Sequence, residues 1–157
     1  MSVNLEQQFV VFQLETEEYG FGIETVKEIV KYREVTKLPH VKDCIEGITN
    51  LRGDVIPIIC LRRRFGLEQR AADSQTRIII VDIGDLYIGF IVDAVTEVLR
   101  LSEQQIEPPP KIVQDGNGDY LNGVGKIDDR LIILLDTNRL LTSEQLKISE
   151  QTTKQAL

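Results

Sequence analysis

Histidine titrates nearest neutrality and is the usual general base. The chain holds one, His40, which follows Pro39 in a loop-like stretch. No serine or cysteine stands beside it in the setting of an activated nucleophile, so it reads as a surface histidine. Aspartate and glutamate together number 25, enough for a catalytic carboxylate pair, yet they fall mostly at turns and on faces that the apolar pattern gives to solvent. The run Asp115-Gly116-Asn117-Gly118-Asp119 has the opening of a calcium loop. It then puts Tyr120 where the sharp turn needs glycine and Lys126 where a bidentate glutamate must close the site, so it reads as a flexible loop. Cys44 and Cys60 each lie in an apolar run, as small buried thiols do, and form no disulfide framework. Neither G-x-x-x-x-G-K-[ST] nor G-x-G-x-x-G occurs. The expectation is therefore no catalytic residues, no metal and no cofactor. Arg62-Arg63-Arg64 is a dense positive cluster at the end of a helix or strand. It reads first as solvated or helix-end charge, and second as a site for a partner carboxylate.

What remains is surface, and the elements that present it. A length of 157 residues suits one domain or two small subdomains sharing a core. With 42% hydrophobic and 27% charged residues, the chain is able to fold. Eighteen basic against 25 acidic residues give a net charge of -7, which repels a phosphate backbone and argues against a nucleic-acid partner. The N-terminus lacks the basic start and apolar stretch of a signal peptide, and no run approaches the roughly 18 apolar residues of a membrane span. A cytoplasmic protein without direct membrane insertion is expected.

Gln8 to Leu14, Val55 to Leu61, Thr76 to Ile83, Leu86 to Val92 and Arg130 to Leu135 are short and rich in β-branched or aromatic residues, the pattern of strands. Gly53-Asp54, Gly84-Asp85 and Asp128-Asp129 supply turns for hairpins. Pro57 cannot donate to a ladder, so its strand is expected at an edge or with a bulge there. Shifting Phe9–Val30 by 69 positions onto Ile78–Leu99 superimposes the apolar positions almost throughout, Gly20-Phe21 falling on Gly89-Phe90. Shifting Gly47–Leu61 by 76 onto Gly123–Thr137 does the same, the extra seven residues being an insertion in the second unit. Two similar β-rich halves follow, 8–70 and 76–140. Glu68 to Gln75 connects them, and a C-terminal helix and tail cover 141–157. Short strands with tight turns favour small closed barrels over a parallel α/β sheet, so the fold class is all-β with short helices. Pro108-Pro109-Pro110 stiffens the chain ahead of a long loop at Gln114 to Asp119.

The segment Ile45 to Ile59 contains G-x-x-N-L-R-G-x-x-x-P-I from Gly47 to Ile58. In this it resembles the CheW family of chemotaxis coupling proteins. Glu18-Tyr19-Gly20 followed by Val26-Lys27-Glu28-Ile29, Gly89-Phe90-Ile91-Val92-Asp93 leading to Val98-Leu99, and Gly123 through Asp129 to Ile133 agree with it, so the resemblance runs from about Gln8 to Leu141. It implies two intertwined five-stranded SH3-like barrels and a non-enzymatic scaffold. The implied partners are the cytoplasmic tip of chemoreceptors and the CheW-like regulatory domain of the histidine kinase CheA.

Carried over by position, the resemblance assigns receptor contact to Val26, Glu28, Ile29, Arg52 and Val98, along a groove between the barrels. From periodicity alone Val26, Ile29 and Val98 equally suit the core, and Glu28 suits an ordinary surface carboxylate. Arg52, beside the Gly53-Asp54 turn, either braces the loop through carbonyls or presents its fork to a partner. Ile106 and Ile112 fall in the loop region that the resemblance assigns to the kinase, where Glu107 replaces a basic residue of some relatives. An adaptor of a different CheA-type pathway, such as surface motility, is the alternative.

Overall fold

The computed structural model describes residues 6–41, 44–84, 86–110 and 120–141. Among the described residues, eleven strands are arranged in two sheets. The first half provides β1 (Glu6–Leu14), β2 (Glu17–Gly22), β3 (Val26–Lys31), β4 (Ile45–Leu51), β5 (Asp54–Cys60) and the short helix α1 (Leu61–Arg64). The second provides β6 (Arg77–Asp82), β7 (Tyr87–Val92), β8 (Ala94–Ser102), β9 (Ile106–Glu107), β10 (Leu121–Ile127), β11 (Arg130–Leu135) and the short helix α2 (Thr137–Leu140). One sheet has the order β8-β1-β2-β11-β10-β9 and the other β3-β6-β7-β5-β4. Each half thus donates its first two strands to the other half's sheet, and the two units are intertwined.

The internal duplication is visible in the ladders. Shifting by 69 carries β1, β2 and β3 onto β6, β7 and β8, and shifting by 76 carries β4, β5 and α1 onto β10, β11 and α2. The parallel pairing Ile58↔Gly89 repeats as Leu134↔Gly20. The antiparallel pairing Glu28↔Ile80 repeats as Glu97↔Val11, each next to a register shift. Beyond β3 the chain turns to pair Thr36 with Ile48 of β4, and beyond β8 it turns to pair Glu107 of β9 with Val124 of β10. Each sheet therefore curls into a small barrel whose two ends are bridged by the chain running on beyond β3 and beyond β8.

Phe12, Phe21 and Phe90, with Leu14, Ile59 and Ile79, fill one shared core and are fully or almost fully buried. Phe9, Val11, Leu101, Ile132 and Leu134 fill a second core inside one sheet, and Leu51, Ile56, Ile58, Ile78 and Ile80 a third inside the other. The shared core draws on strands of both sheets, so hydrophobic burial couples the barrels.

Two expectations need correcting. Pro57 pairs with Ile48 on β5, which lies between β4 and β7, and the register shift falls at Ile45/Gly47 instead. The reason is local. Ile48 exchanges its backbone hydrogen bonds with Thr36 and not with β5, and the ladder to β7 begins only at Ile58. Pro57 thus occupies a stretch of an inner strand that needs no N–H from it. The arginine cluster is not a solvated face. Arg62 is buried, with Nη1 2.6 Å from Asp93 Oδ2 and a further ion pair to Glu15. Arg63 Nη1 lies 3.3 Å from Glu46 Oε2, and Arg64 donates to the Leu140 carbonyl and covers the Tyr120 ring.

Cys44 and Cys60 are both buried, and His40 is exposed with a positive φ. Asp85, the Gln114–Asp119 loop and the stretch 142–157 lie outside the described residues. Among the described residues no helix is long and apolar enough to cross a membrane.

Candidate functional site

The Asn-Leu-Arg-Gly segment is a two-residue hairpin turn between β4 and β5, closed by the pair Leu51↔Asp54. Arg52 and Gly53 both have positive φ, at 52° and 91°, as the mirror-image turns that match strand twist require. Asn50 Oδ1 accepts from the Gly53 N–H at 2.9 Å, which fixes the turn, while Leu51 is buried beneath it. Arg52, the residue the turn holds in the left-handed region, projects its guanidinium onto Glu28 of β3. A hairpin tip is thereby tied to the opposite edge strand of the same sheet. The pair is largely solvated on the arginine side, so it fixes orientation more than it adds stability.

Around it, β3 alternates between half-buried and exposed positions. Val26 packs against the shared core, whereas Ile29 is 38% exposed although large and apolar. Val98, on β8, is 50% exposed. It pairs with Val10 as Ile29 pairs with Ile79, which makes Ile29 and Val98 equivalent positions of the duplication. The structure thus brings Glu28 and Arg52 together and places Ile29 and Val98 on edge strands of different sheets. Ile106, on β9, is half-buried against the core of Phe9 and Val11, and beside it Glu107 is paired with Lys126 at 3.2 Å. Ile112 lies outside the described residues.

The sequence reading missed a second ion-pair site. Arg130, just past the β10–β11 turn, donates through Nη2 to Glu18 at 2.7 Å and to Glu97 at 2.8 Å, and through Nε to Glu18 at 3.1 Å. These carboxylates, Glu18 first, raise the guanidinium pKa further above its ordinary value. Glu97 is the duplicate of Glu28, 69 positions on, and that shift was the signal that could have found it. Arg130 itself has no such signal, because Asp54 holds its counterpart position. Among the described residues no group of three or more His, Cys, Asp or Glu could hold a metal ion.

Comparison with known proteins agrees with this architecture. The family model described as CheW-like domain matches residues 8–145. A chemotaxis protein CheW of Klebsiella aerogenes is 38% identical over 148 residues, covering 94% of this chain and 89% of that protein. A chemotaxis protein CheW of Bacillus subtilis is 35% identical over 138 residues, covering 88% of each. A crystal structure of the scaffolding protein TtCheW from Thermoanaerobacter tengcongensis superimposes with a TM-score of 0.81 at 42% identity, over 90% of this chain and 96% of that one. With the duplicated barrels, the Asn-Leu-Arg-Gly turn and a match over most of the length, the chain belongs to the CheW family.

Proposed function

We propose that this chain is a chemotaxis adaptor that couples chemoreceptors to the histidine kinase CheA and makes or breaks no covalent bond itself. The observation that carries the reading is the Arg52–Glu28 tie at the hairpin of the family segment, with large apolar side chains exposed near it in sequence. Exposed apolar groups flanked by oriented charges are what a helical partner recognises: the apolar positions anchor one helix face and the charges set its direction. Val26, Glu28, Ile29, Arg52 and Val98 form the receptor-contacting set. Ile106 and Ile112 belong to a separate contact with the CheW-like regulatory domain of CheA, so both partners are held at once. The adaptor works on the cytoplasmic side of receptor arrays, attached through its partners. The relatives carry chemotaxis names, which favours this pathway over surface motility.

The test is capture of the folded protein by an immobilised receptor cytoplasmic fragment and, separately, by the kinase regulatory domain. Retention on both supports the coupling role; retention on neither removes it.

A further inference from the structure

We propose that the Arg130–Glu97 ion pair is a second positioning device for the receptor contact, holding β8 so that Val98 is presented as the Arg52–Glu28 tie presents Ile29. The inference rests on the receptor-coupling reading above. It starts from the duplication: Glu28 and Glu97 occupy the same place in their ladders, opposite Ile80 and Val11, and each is followed by an exposed apolar residue. Each glutamate is met by an arginine from the hairpin of its own sheet, Arg52 from β4–β5 and Arg130 from β10–β11. The arginines do not stand at equivalent positions, Arg52 being matched by Asp128 and Arg130 by Asp54. The same edge-to-hairpin tie is thus built twice with different residues, and a tie kept while its donor has moved points to a constraint on the edge strands themselves.

The surroundings of the second tie point to a partner. Val98 follows Glu97 and is 50% exposed; Leu131 follows Arg130 and is 59% exposed, above every other exposed large apolar side chain among the described residues. β8 is an edge strand, paired only with β1, so the arginine is what fixes its outer side. Arg130 is anchored in turn by its two bonds to Glu18 of β2, a strand of the same sheet. A lysine could reach either carboxylate but not bridge both with a planar fork.

The experiment measures binding of the full chain to the receptor cytoplasmic fragment and to the kinase regulatory domain, with melting recorded for every variant. Arg130→Gln and Glu97→Gln are expected to weaken receptor binding about tenfold while kinase binding stays at the parent value. Arg130→Lys is expected to recover part of the loss. In a Val98→Ser background Arg130→Gln should add little, because both changes act through one contact. Glu97→Gln leaves the Arg130–Glu18 bonds in place, so it carries the test if Arg130→Gln fails to fold. Receptor binding of Glu97→Gln at the parent level, with Glu28→Gln weakened, overturns the proposal and leaves the second tie as barrel closure alone. A parent protein that binds kinase but no receptor fragment overturns the coupling reading itself, and is seen before any variant is made.

Discussion

Arg62 Nη1 lies 2.6 Å from Asp93 Oδ2, a buried ion pair between the helix that ends the first half and the residue between β7 and β8. The same carboxylate oxygen accepts the Glu15 N–H at 2.9 Å, and Arg62 Nε donates to the Glu68 carbonyl at 2.7 Å. The β1–β2 turn, the connector between halves and the start of β8 thus meet on two side chains. Removing Asp93 leaves the buried Arg62 guanidinium with only the half-exposed Glu15 carboxylate and the Glu68 carbonyl, and strips the Glu15 N–H of its acceptor, a large penalty. Asp93→Ala is expected to lower unfolding free energy by about 3 kcal/mol, read from urea denaturation. A change below about 0.5 kcal/mol would show that solvent replaces the carboxylate.

The duplicated glycines make a controlled comparison. Gly20 and Gly89 are counterparts, each in the parallel ladder beside a core aliphatic residue. A methyl at Gly20 would stand 3.2 Å from Leu134 Cδ2, whereas at Gly89 it would stand 2.6 Å from Ile58 Cδ1 and 2.8 Å from Ile78 Cγ2. The first requires one flexible side chain to yield; the second requires two packed isoleucines to move and a third, Ile80, whose Cδ1 would stand at 3.2 Å, to yield. Gly89→Ala is expected to cost about 2 kcal/mol and Gly20→Ala under about 1 kcal/mol, compared by thermal or chemical melts under one condition. Equal costs would place the difference in backbone rather than packing.

These particulars separate what was legible in the sequence from what was not. The strands around Phe9–Leu14 and Ile78–Ile80 follow from apolar density, and the two shifts of the duplication carry every described strand of the first half onto a strand of the second, leaving β9 without a counterpart. The strand exchange is not a property of any segment, since it depends on which sheet β1 and β2 join. Pro57 was misplaced because a local rule about its missing N–H knows nothing of where the β7 ladder starts. Arg62 was misplaced because a triple arginine looks solvated until Asp93, 31 positions away, is folded against it. In the candidate site Glu28 and Arg52 were named from the family segment, but their direct contact spans 24 positions and appears only in three dimensions.

The connector also carries a pH signature. Asp73 accepts from Arg70 at 2.9 Å and from the Gln75 N–H at 2.8 Å. These bonds, the arginine's first, lower its carboxyl pKa below the ordinary 3.8. A depressed folded pKa means the contribution to stability is complete above 3.8 and is lost as pH falls through the lower folded value. Arg70→Gln is expected to move the Asp73 titration back upward in a carboxyl NMR experiment. An unchanged titration would assign the depression to the Gln75 N–H and the Thr76 hydroxyl instead.

Arg52 combines two opposed terms, and they can be separated. Its φ of 52° lies in the left-handed region, which costs a non-glycine residue about 1 kcal/mol. Its exposed ion pair with Glu28 returns about 0.2–1 kcal/mol at most. Folding alone therefore gives little reason for arginine here, and glycine would suit the turn as well or better. Arg52→Gly is expected to leave stability unchanged or raised by up to about 1 kcal/mol, while receptor-fragment capture falls about tenfold. Glu28→Ala should reproduce the loss of capture with a stability change within about 0.5 kcal/mol. Should Arg52→Gly melt earlier and still capture receptor at the parent level, the arginine is a brace for the loop and not part of the docking surface.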